Sequence, residues 1–326
     1  MIPLSVVVPT RDTRGLTLRC LGSIAFLARE GAQVVLVDDA SRDGTAEAAR
    51  AAHGFVQVIA NDQPLGFARS ANRGLAAAQG EVLLLLNSDT EVDAASFGRM
   101  RDAFAADERL GAAGASLVNP DGSAQWSGSR LPSRAWLTAM ASGLPALLGA
   151  LPGYRRVRAP GGTGEVDWVT GAALAIRRAA WTQVGPLDET FAFYGQDLDY
   201  CQRLRASGWH VRLVDGWRVT HVGGATIGRR PGSIGGVHLG LLWSDLLRWA
   251  SRHHGPAWTV RTARLMRAAA GARLTARALA RPFAGASARE TWDHDTAALR
   301  EARAALEAWT HDRPPPDVRH SGPAAS

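Results

Sequence analysis

Four apolar runs in the first ninety residues each end on polar side chains: Pro9-Thr10-Arg11-Asp12, Asp38-Asp39, Asn61-Asp62 and Asn87-Ser88-Asp89. A strand-end carboxylate facing a glycine-containing turn such as Asp43-Gly44 can accept hydrogen bonds from a base or a ribose, and Asp38 and Asp39 stand at such a place. Oxygen ligands of the kind clustered at 87–89 suit hard divalent cations. Further along, Asp197 and Asp199 supply more carboxylates, and His221 precedes the glycine-rich run Gly223-Gly224-Ala225-Thr226-Ile227-Gly228. A neutral imidazole is a reasonable ligand for Mn2+. Each residue also has an ordinary structural use. Asp38 and Asp39 can cap the helix that starts near Gly44, residues 87–89 can form an Asx turn, Asp197 can be an N-cap, and Asp199 can pair with Arg203 on a helix surface.

The elements that must position these residues follow from periodicity. Leu4–Val8 and Gln33–Val37 are β-branched runs of the type found in buried parallel strands. Between them, Leu18, Leu21, Ile24 and Ala25 have helical spacing, and Gly31 is a stop. Helices over 44–52 and 66–79 then alternate with strands over 56–59 and 82–86, which predicts a doubly wound, mostly parallel α/β sheet. Ligands of such sheets bind beyond the carboxyl ends of the strands, where the four polar groups lie. Residues 115–165 are rich in Gly, Pro and Ser and read as loops and short helices. Strand and helix signals return over 166–176 and 189–207. From 226 to 285 there are ten arginines and a single acidic residue, Asp245, interleaved with Trp243, Trp249 and Trp258. This predicts a basic helical extension, and 311–326 a disordered tail.

Composition excludes several functions. All 37 basic residues are arginine, so no P-loop lysine exists and a lysine-dependent nucleotidyltransferase is disfavoured. No Gly-x-Gly-x-x-Gly follows the first strand, which argues against a dinucleotide-dependent oxidoreductase. Two cysteines, Cys20 and Cys201, fit a reducing compartment. The amino terminus has no signal-peptide pattern, so a cytoplasmic location is expected. The apolar stretch 135–151 is interrupted by Pro145 and reads as buried or surface helices rather than a membrane span. A net charge of +7 predicts an anionic partner. No recognised nucleic-acid-reading module accompanies the charge, so no nucleic acid is expected.

The ordered set Val6-Val7-Val8-Pro9-Thr10, Val37-Asp38-Asp39 with Asp43-Gly44, Gly66-Phe67-Ala68 with Asn72-Arg73-Gly74, and Leu85-Leu86-Asn87-Ser88-Asp89 resembles the family 2 glycosyltransferases, in particular their rhamnosyltransferase-like members. The resemblance continues through Trp168-Val169-Thr170-Gly171-Ala172-Ala173, Gly185-Pro186-Leu187-Asp188-Glu189, Asp197-Leu198-Asp199 and His221-Val222-Gly223-Gly224, and covers about residues 3–228.

It implies a GT-A-like domain over 1–228, with a nucleotide-binding half to about 115 and an acceptor half over 116–228. The basic helical extension would then span 229–310. Inverting transfer of a sugar from a nucleotide-diphospho-sugar donor to a hydroxyl of a glycan or lipid-linked acceptor is implied. Rhamnose from dTDP-rhamnose comes first among donors, with UDP- and GDP-sugars used by related sequences. The competing possibility is a catalytically inactive sugar-nucleotide-binding protein. Carried residue by residue, the resemblance places Pro9, Thr10, Asp12, Asp38, Asp39, Asn72, Gly74, Asn87 and Ser88 at the nucleotide. Asp89 and His221 would hold Mn2+ or Mg2+, Asp197 would be the base, and Trp168, Gly171, Ala172 and Gln196 would contact donor sugar or acceptor. Asn87 and Gln196 stand where the family has an aspartate and a glutamate, and Arg11 replaces a common aromatic. The arginine-rich extension suits an anionic membrane surface, which would make the protein peripheral at the inner face of the cell membrane.

Overall fold

A computed structural model of the chain describes residues 3–143, 164–224, 233–234 and 237–311. The elements begin with β1 (Leu4–Thr10), α1 (Arg14–Ser23), α2 (Ala25–Arg29), β2 (Gln33–Asp38), α3 (Thr45–Ala52), β3 (Val56–Ala60), α4 (Phe67–Ala77) and β4 (Val82–Leu86). They continue with β5 (Thr90–Val92), α5 (Gly98–Ala106), β6 (Leu110–Val118), β7 (Gly128–Ser129), α6 (Arg134–Ser142), β8 (Gly164–Glu165), β9 (Trp168–Val169) and β10 (Ala173–Arg177). Next come α7 (Arg178–Val184), α8 (Gln196–Ala206) and β11 (His210–His221), and finally β12 (Ser233–Ile234), β13 (Val237–His238), α9 (Leu239–His254), α10 (Pro256–Ala280) and α11 (Ala286–Ala305).

One mixed sheet runs in the order β3-β2-β1-β4-β10-β6-β11-β5, with β8 on β11. Strands β3, β2, β1, β4, β6 and β11 all point the same way, while β10 runs against both of its neighbours. The carboxyl ends of β1, β2, β4 and β11 therefore meet at one edge of the sheet. The strands are apolar on both faces because helices cover both. One face is packed by Leu21, Ile24, Leu27, Phe97 and Phe104, the other by Ala71, Leu75, Ile176, Tyr200 and Leu204.

The predicted alternation over the first ninety residues is present. The central strand β6 departs from the expectation of loops beyond 115. Its sequence, Leu-Gly-Ala-Ala-Gly-Ala-Ser-Leu-Val, has few of the β-branched or aromatic residues that mark a strand. Large side chains on neighbouring elements explain the small residues: a Cβ at Gly111 would lie 2.6 Å from Trp209 Cβ, and one at Gly114 2.6 Å from Val169 Cβ.

The C-terminal helices form no detached appendage. Trp243, Leu247, Trp249, Met266, Leu299 and Trp309 bury themselves with Leu137, Phe191 and Leu198 of the preceding region in one cluster. Trp243 and Trp249 are thus core residues, which overturns their reading as interfacial tryptophans. Burying an aromatic ring against a partner surface contributes roughly 1.5–3 kcal/mol, enough to hold them inside. Among the described residues no helix is long and apolar enough to cross a membrane. The second part of the apolar stretch 135–151, most of the glycine-rich run after His221 and the predicted tail beyond His311 lie outside the described residues.

Candidate active site

The loops after β1 and β2 are braced by their own polar groups. Asp39, buried at the end of β2, accepts hydrogen bonds from Asn61 Nδ2 (2.7 Å), Leu65 N–H (2.7 Å) and Gly66 N–H (3.0 Å). It shapes the 61–66 loop that leads into α4. Asp38 accepts from the Ser41 amide (3.1 Å) and hydroxyl, and burial raises its pKa above the usual carboxylate value. The helix-capping expectation for this pair is corrected: the carboxylate that receives the Thr45 amide at the start of α3 is Asp43 (3.1 Å). Asp12, with a left-handed φ of 51°, accepts from the Arg42 amide (2.7 Å) and donates its own N–H to Ser41 Oγ (3.0 Å). Pro9, the next-to-last residue of β1, lies opposite Val37 and beyond the β1–β4 pairing, where a missing N–H costs no bond to β4. Thr10, Thr13, Thr17 and Ser88 join hydroxyls in one buried chain with contacts of 2.7–3.2 Å.

Two residues expected at the nucleotide, Asn72 and Gly74, make packing contacts within the protein. Asn72 donates from Nδ2 to Leu187 O (2.8 Å) and Glu189 Oε1 (3.0 Å), and its Oδ1 accepts from Leu187 N–H (2.9 Å). Its side chain ties α4 to the 187–189 turn. Gly74 lets α4 approach the sheet, since a Cβ there would sit 2.3 Å from Val7 Cγ1 and 2.9 Å from Val37 Cγ2. Both residues join α4 to its neighbours, Asn72 to the 187–189 turn and Gly74 to β1 and β2.

The Asn87-Ser88-Asp89 turn and His221 do come together. Asp89 Oδ1 lies 3.3 Å from His221 Nε2, and β5 pairs with the end of β11 through Thr90 and His221. The ring orientation is set by a residue absent from the sequence-based set, Gln125. Its Nε2 donates to Asn119 Oδ1 (2.6 Å) and His221 O (2.6 Å), so its Oε1 accepts from His221 Nδ1 (2.8 Å). Nδ1 is thus the donor to Gln125, and Nε2 is the ring nitrogen that faces Asp89. Asn87 Oδ1 is buried with no protein partner.

A carboxylate, an imidazole nitrogen and an unpartnered amide oxygen are a donor set that fits Mn2+ or Mg2+, which commonly take few protein ligands and complete their shell with phosphate oxygens and water. Among the described residues no group of three His, Cys, Asp or Glu could hold a metal, so the amide oxygen is needed to reach three.

A backbone hydrogen bond from Asn87 N–H to Ala172 O (3.0 Å) leads to the segment that contacts the expected base. Asp197, in the first turn of α8, accepts from Gly171 N–H on Oδ2 (2.8 Å) and from Leu198 N–H on Oδ1 (2.8 Å). Desolvation raises its pKa despite these bonds. A Cβ at Gly171 would meet Asp197 Cβ only at 3.6 Å. Gly171 therefore matters for its N–H rather than for close approach. Gln196 donates to Phe193 O (2.9 Å), and its Oε1 is buried without a partner. Trp168 is partly buried, donates to Arg130 O (3.2 Å) and meets Trp126 edge-on at 5.4 Å. Trp126 is the ring that stands more than one-third exposed beside it.

The surface reading of Asp199 is corrected. It is buried, held by Arg203 Nε (2.8 Å) and by His253 Nε2 of α9 (2.9 Å). Neither cysteine is reactive: burial pushes the Cys20 and Cys201 thiols up to about 12.

Residues 5–179 match the model of Glycosyl transferase family 2. The N-acetylglucosaminyl-diphospho-decaprenol L-rhamnosyltransferase of Mycobacterium tuberculosis is 29% identical over 267 residues, 74% of this chain and 84% of that protein. Two solved structures share the fold. The mannosyltransferase PcManGT from Pyrobaculum calidifontis, in complex with GDP-Man and Mn2+, has a TM-score of 0.55 at 19% identity over 94% of this chain and 87% of its own. GalNAc-T7 with UDP, GalNAc and Mn2+ has a TM-score of 0.57 at 18% identity over 90% of this chain, which spans 55% of it. The family match covers more than half of the residues, including every strand-end motif of the first half, and the chain belongs to glycosyl transferase family 2.

Proposed function

We propose that this inverting glycosyltransferase moves a rhamnosyl group from dTDP-rhamnose to a hydroxyl of a lipid-linked N-acetylglucosamine, with Asp197 as general base and a divalent ion at Asp89 and His221. The observation that supports this reading is the backbone hydrogen bond from Asn87 N–H to Ala172 O. It joins the turn that carries Asp89, the partner of His221, to the residue that follows Gly171, whose N–H bonds Asp197, so that a diphosphate and an attacking hydroxyl would be served by linked segments. The choice of sugar and acceptor draws on the mycobacterial relative.

In the reaction the acceptor oxygen attacks the anomeric carbon from the face opposite the diphosphate. Its proton passes to Asp197 Oδ, the new C–O bond forms, and the old one breaks with its electron pair going to the departing nucleoside diphosphate. Gly171 and Leu198 N–H groups orient the carboxylate, while its raised pKa makes it a stronger proton acceptor once ionised. Asp89, His221 Nε2 and Asn87 Oδ1 would hold the ion, whose chemistry is to neutralise the charge that builds up on the diphosphate. Asp38, Asp39 and the loop backbones they hold form the nucleotide cradle. Gln196 Oε1 is an acceptor for a sugar hydroxyl. Nothing in the geometry favours the catalytically inactive alternative.

The reading extends to an anionic membrane surface at the inner face of the cell membrane. With Trp243 and Trp249 in the core, its support moves to the α10–α11 hairpin. Phe283 is 91% and Leu279 71% exposed at its tip, and residues 256–310 carry nine arginines against five acidic residues. The decisive experiment incubates the full chain with dTDP-rhamnose and a prenyl-diphospho-N-acetylglucosamine, reading product anomeric configuration and released nucleotide. Release without transfer, or transfer only from another donor, would overturn the substrate assignment. Equal sedimentation with anionic and neutral vesicles would remove the membrane surface.

A further inference from the structure

Asp245 is the lone acidic residue of the arginine-rich segment, and it sits 1% exposed in the middle of α9. An ionisable carboxyl in such a place is costly unless its oxygens are hydrogen-bonded. Here three consecutive peptide groups converge on it: Ala192 N–H donates to Oδ1 (3.0 Å), and Phe193 and Tyr194 N–H to Oδ2 (both 2.9 Å). Those three residues form the turn that enters α8, whose second residue is Asp197. Gln196 Nε2 donates back to Phe193 O (2.9 Å), locking the turn to the helix start.

The same face of α9 continues the grip. Asp245, Trp249, Arg252 and His253 stand at i, i+4, i+7 and i+8, one stripe of a helix. Trp249 Nε1 donates to Gln202 Oε1 (2.7 Å), His253 Nε2 meets Asp199 Oδ1 (2.9 Å), and Arg252 binds Thr190 Oγ1 (2.7 Å) and pairs with Asp188. The chain is thus held to α9 both before Asp197, at 188–194, and after it, at 199 and 202.

We infer that α9, with Asp245 as its principal positioning residue, fixes the rotation and depth of the segment carrying Asp197, so that the C-terminal region is part of the catalytic machinery. This rests on Asp197 being the base. Asp245 acts through peptide groups and touches no substrate. Asn at 245 turns an amide N–H₂ toward N–H donors, so the turn loses at least one of its anchors while the volume is kept.

The test is a double-mutant cycle on transfer, read beside the dissociation constant for nucleoside diphosphate and the thermal midpoint. Asp245→Asn should lower the single-turnover transfer rate by about 10–100-fold, because a misplacement near 1 Å costs about that much. Nucleotide affinity should stay within about twofold, since the loops after β1 and β2 are held by Asp12 and Asp39 from within the 1–115 part, which meets the turn at 192–194 through the Phe67–Phe193 ring contact (6.4 Å). The double variant Asp197→Asn/Asp245→Asn should be no slower than Asp197→Asn alone, because a positioning residue has nothing left to position.

A folded Asp245→Asn that transfers at the wild-type rate, or a defect that multiplies fully onto Asp197→Asn, overturns the inference while leaving the base assignment intact. Wild-type transfer by Asp197→Asn overturns the base assignment itself. If Asp245→Asn does not accumulate folded, Gln202→Met, which keeps the side-chain length and removes the acceptor of the Trp249 Nε1 bond, is measured in its place. It should lower the rate about threefold or more at unchanged affinity, and a wild-type rate overturns the inference.

Discussion

The loops after β1 and β2 and the edge formed by β4, β10, β11 and α8 are both lined with polar residues, yet they are built in opposite ways. In the first, carboxylates and hydroxyls are engaged by the protein itself: Asp39 by three donors, Asp12 by the Arg42 amide, Thr10 by two hydroxyls. In the second, Asn87 Oδ1 and Gln196 Oε1 have no protein partner, and two potential ligand atoms of Asp89 and His221 face each other at 3.3 Å. An unsatisfied buried polar atom costs ~1–3 kcal/mol, and under the proposed function a ligand would supply the bonds that these two oxygens lack. On that proposal the first region is a scaffold shaped before any ligand arrives, and the second is where bonds to reacting groups would be made.

Variants in the two regions should therefore fail differently. The largest effect belongs to Asp197→Asn, which keeps shape and removes basicity: transfer should fall ~10²–10⁴-fold with nucleotide binding retained. A near wild-type rate would move the base to Asp188, Glu189 or Asp199. Next, EDTA should cut transfer by about 10²–10³-fold, the range found when one transition-state charge stabiliser is lost. Added Mn2+ or Mg2+ should restore wild type but leave Asp89→Ala impaired, and full activity in EDTA would refute the Asp89–His221 assignment.

On the scaffold side, Asp39→Ala strands three donors and should lower unfolding free energy by ~1–3 kcal/mol in a denaturant titration. It should weaken nucleotide binding through a loosened 61–66 loop; unchanged stability would show that Asp39 is not a brace. The smallest effect is in the pH profile. Asp197 accepts a proton only when ionised and burial raises its pKa, so the rate should rise with pH through an apparent pKa above the ordinary 3.8. Gln196→Glu adds a like charge next to it and should move that acidic limb to still higher pH. A limb at or below 3.8, or one that Gln196→Glu leaves in place, would separate Gln196 from the base.

Much of this organisation was legible from residue types. The β-branched runs of β1 and β2 and the aliphatic run of β4 announce buried strands, because nothing else in a soluble chain accommodates such runs so compactly, and strand alternation with helices then places 9–12, 38–39 and 87–89 at one edge. The Asp89–His221 pair was named from motif order alone. Strand β6 was not legible: its glycines and alanines answer to Trp209 and Val169, whose positions only the packed sheet defines.

Asn72 and Gly74 stand inside a recognised motif, and the motif could not distinguish a ligand contact from a brace to Leu187 or a close approach to Val7. Gln125 gave no sequence signal and the lone acidic Asp245 none of its role, since each acts on a segment separated from it by about fifty to one hundred residues. By itself, then, the sequence determined the order of elements over the first ninety residues, the chemical types at the strand ends and the family. Tertiary structure decided which polar atoms are engaged by the protein and which remain for a ligand. Hydrogen bonding is short-ranged and directional, and its partners are chosen only when distant segments are packed together.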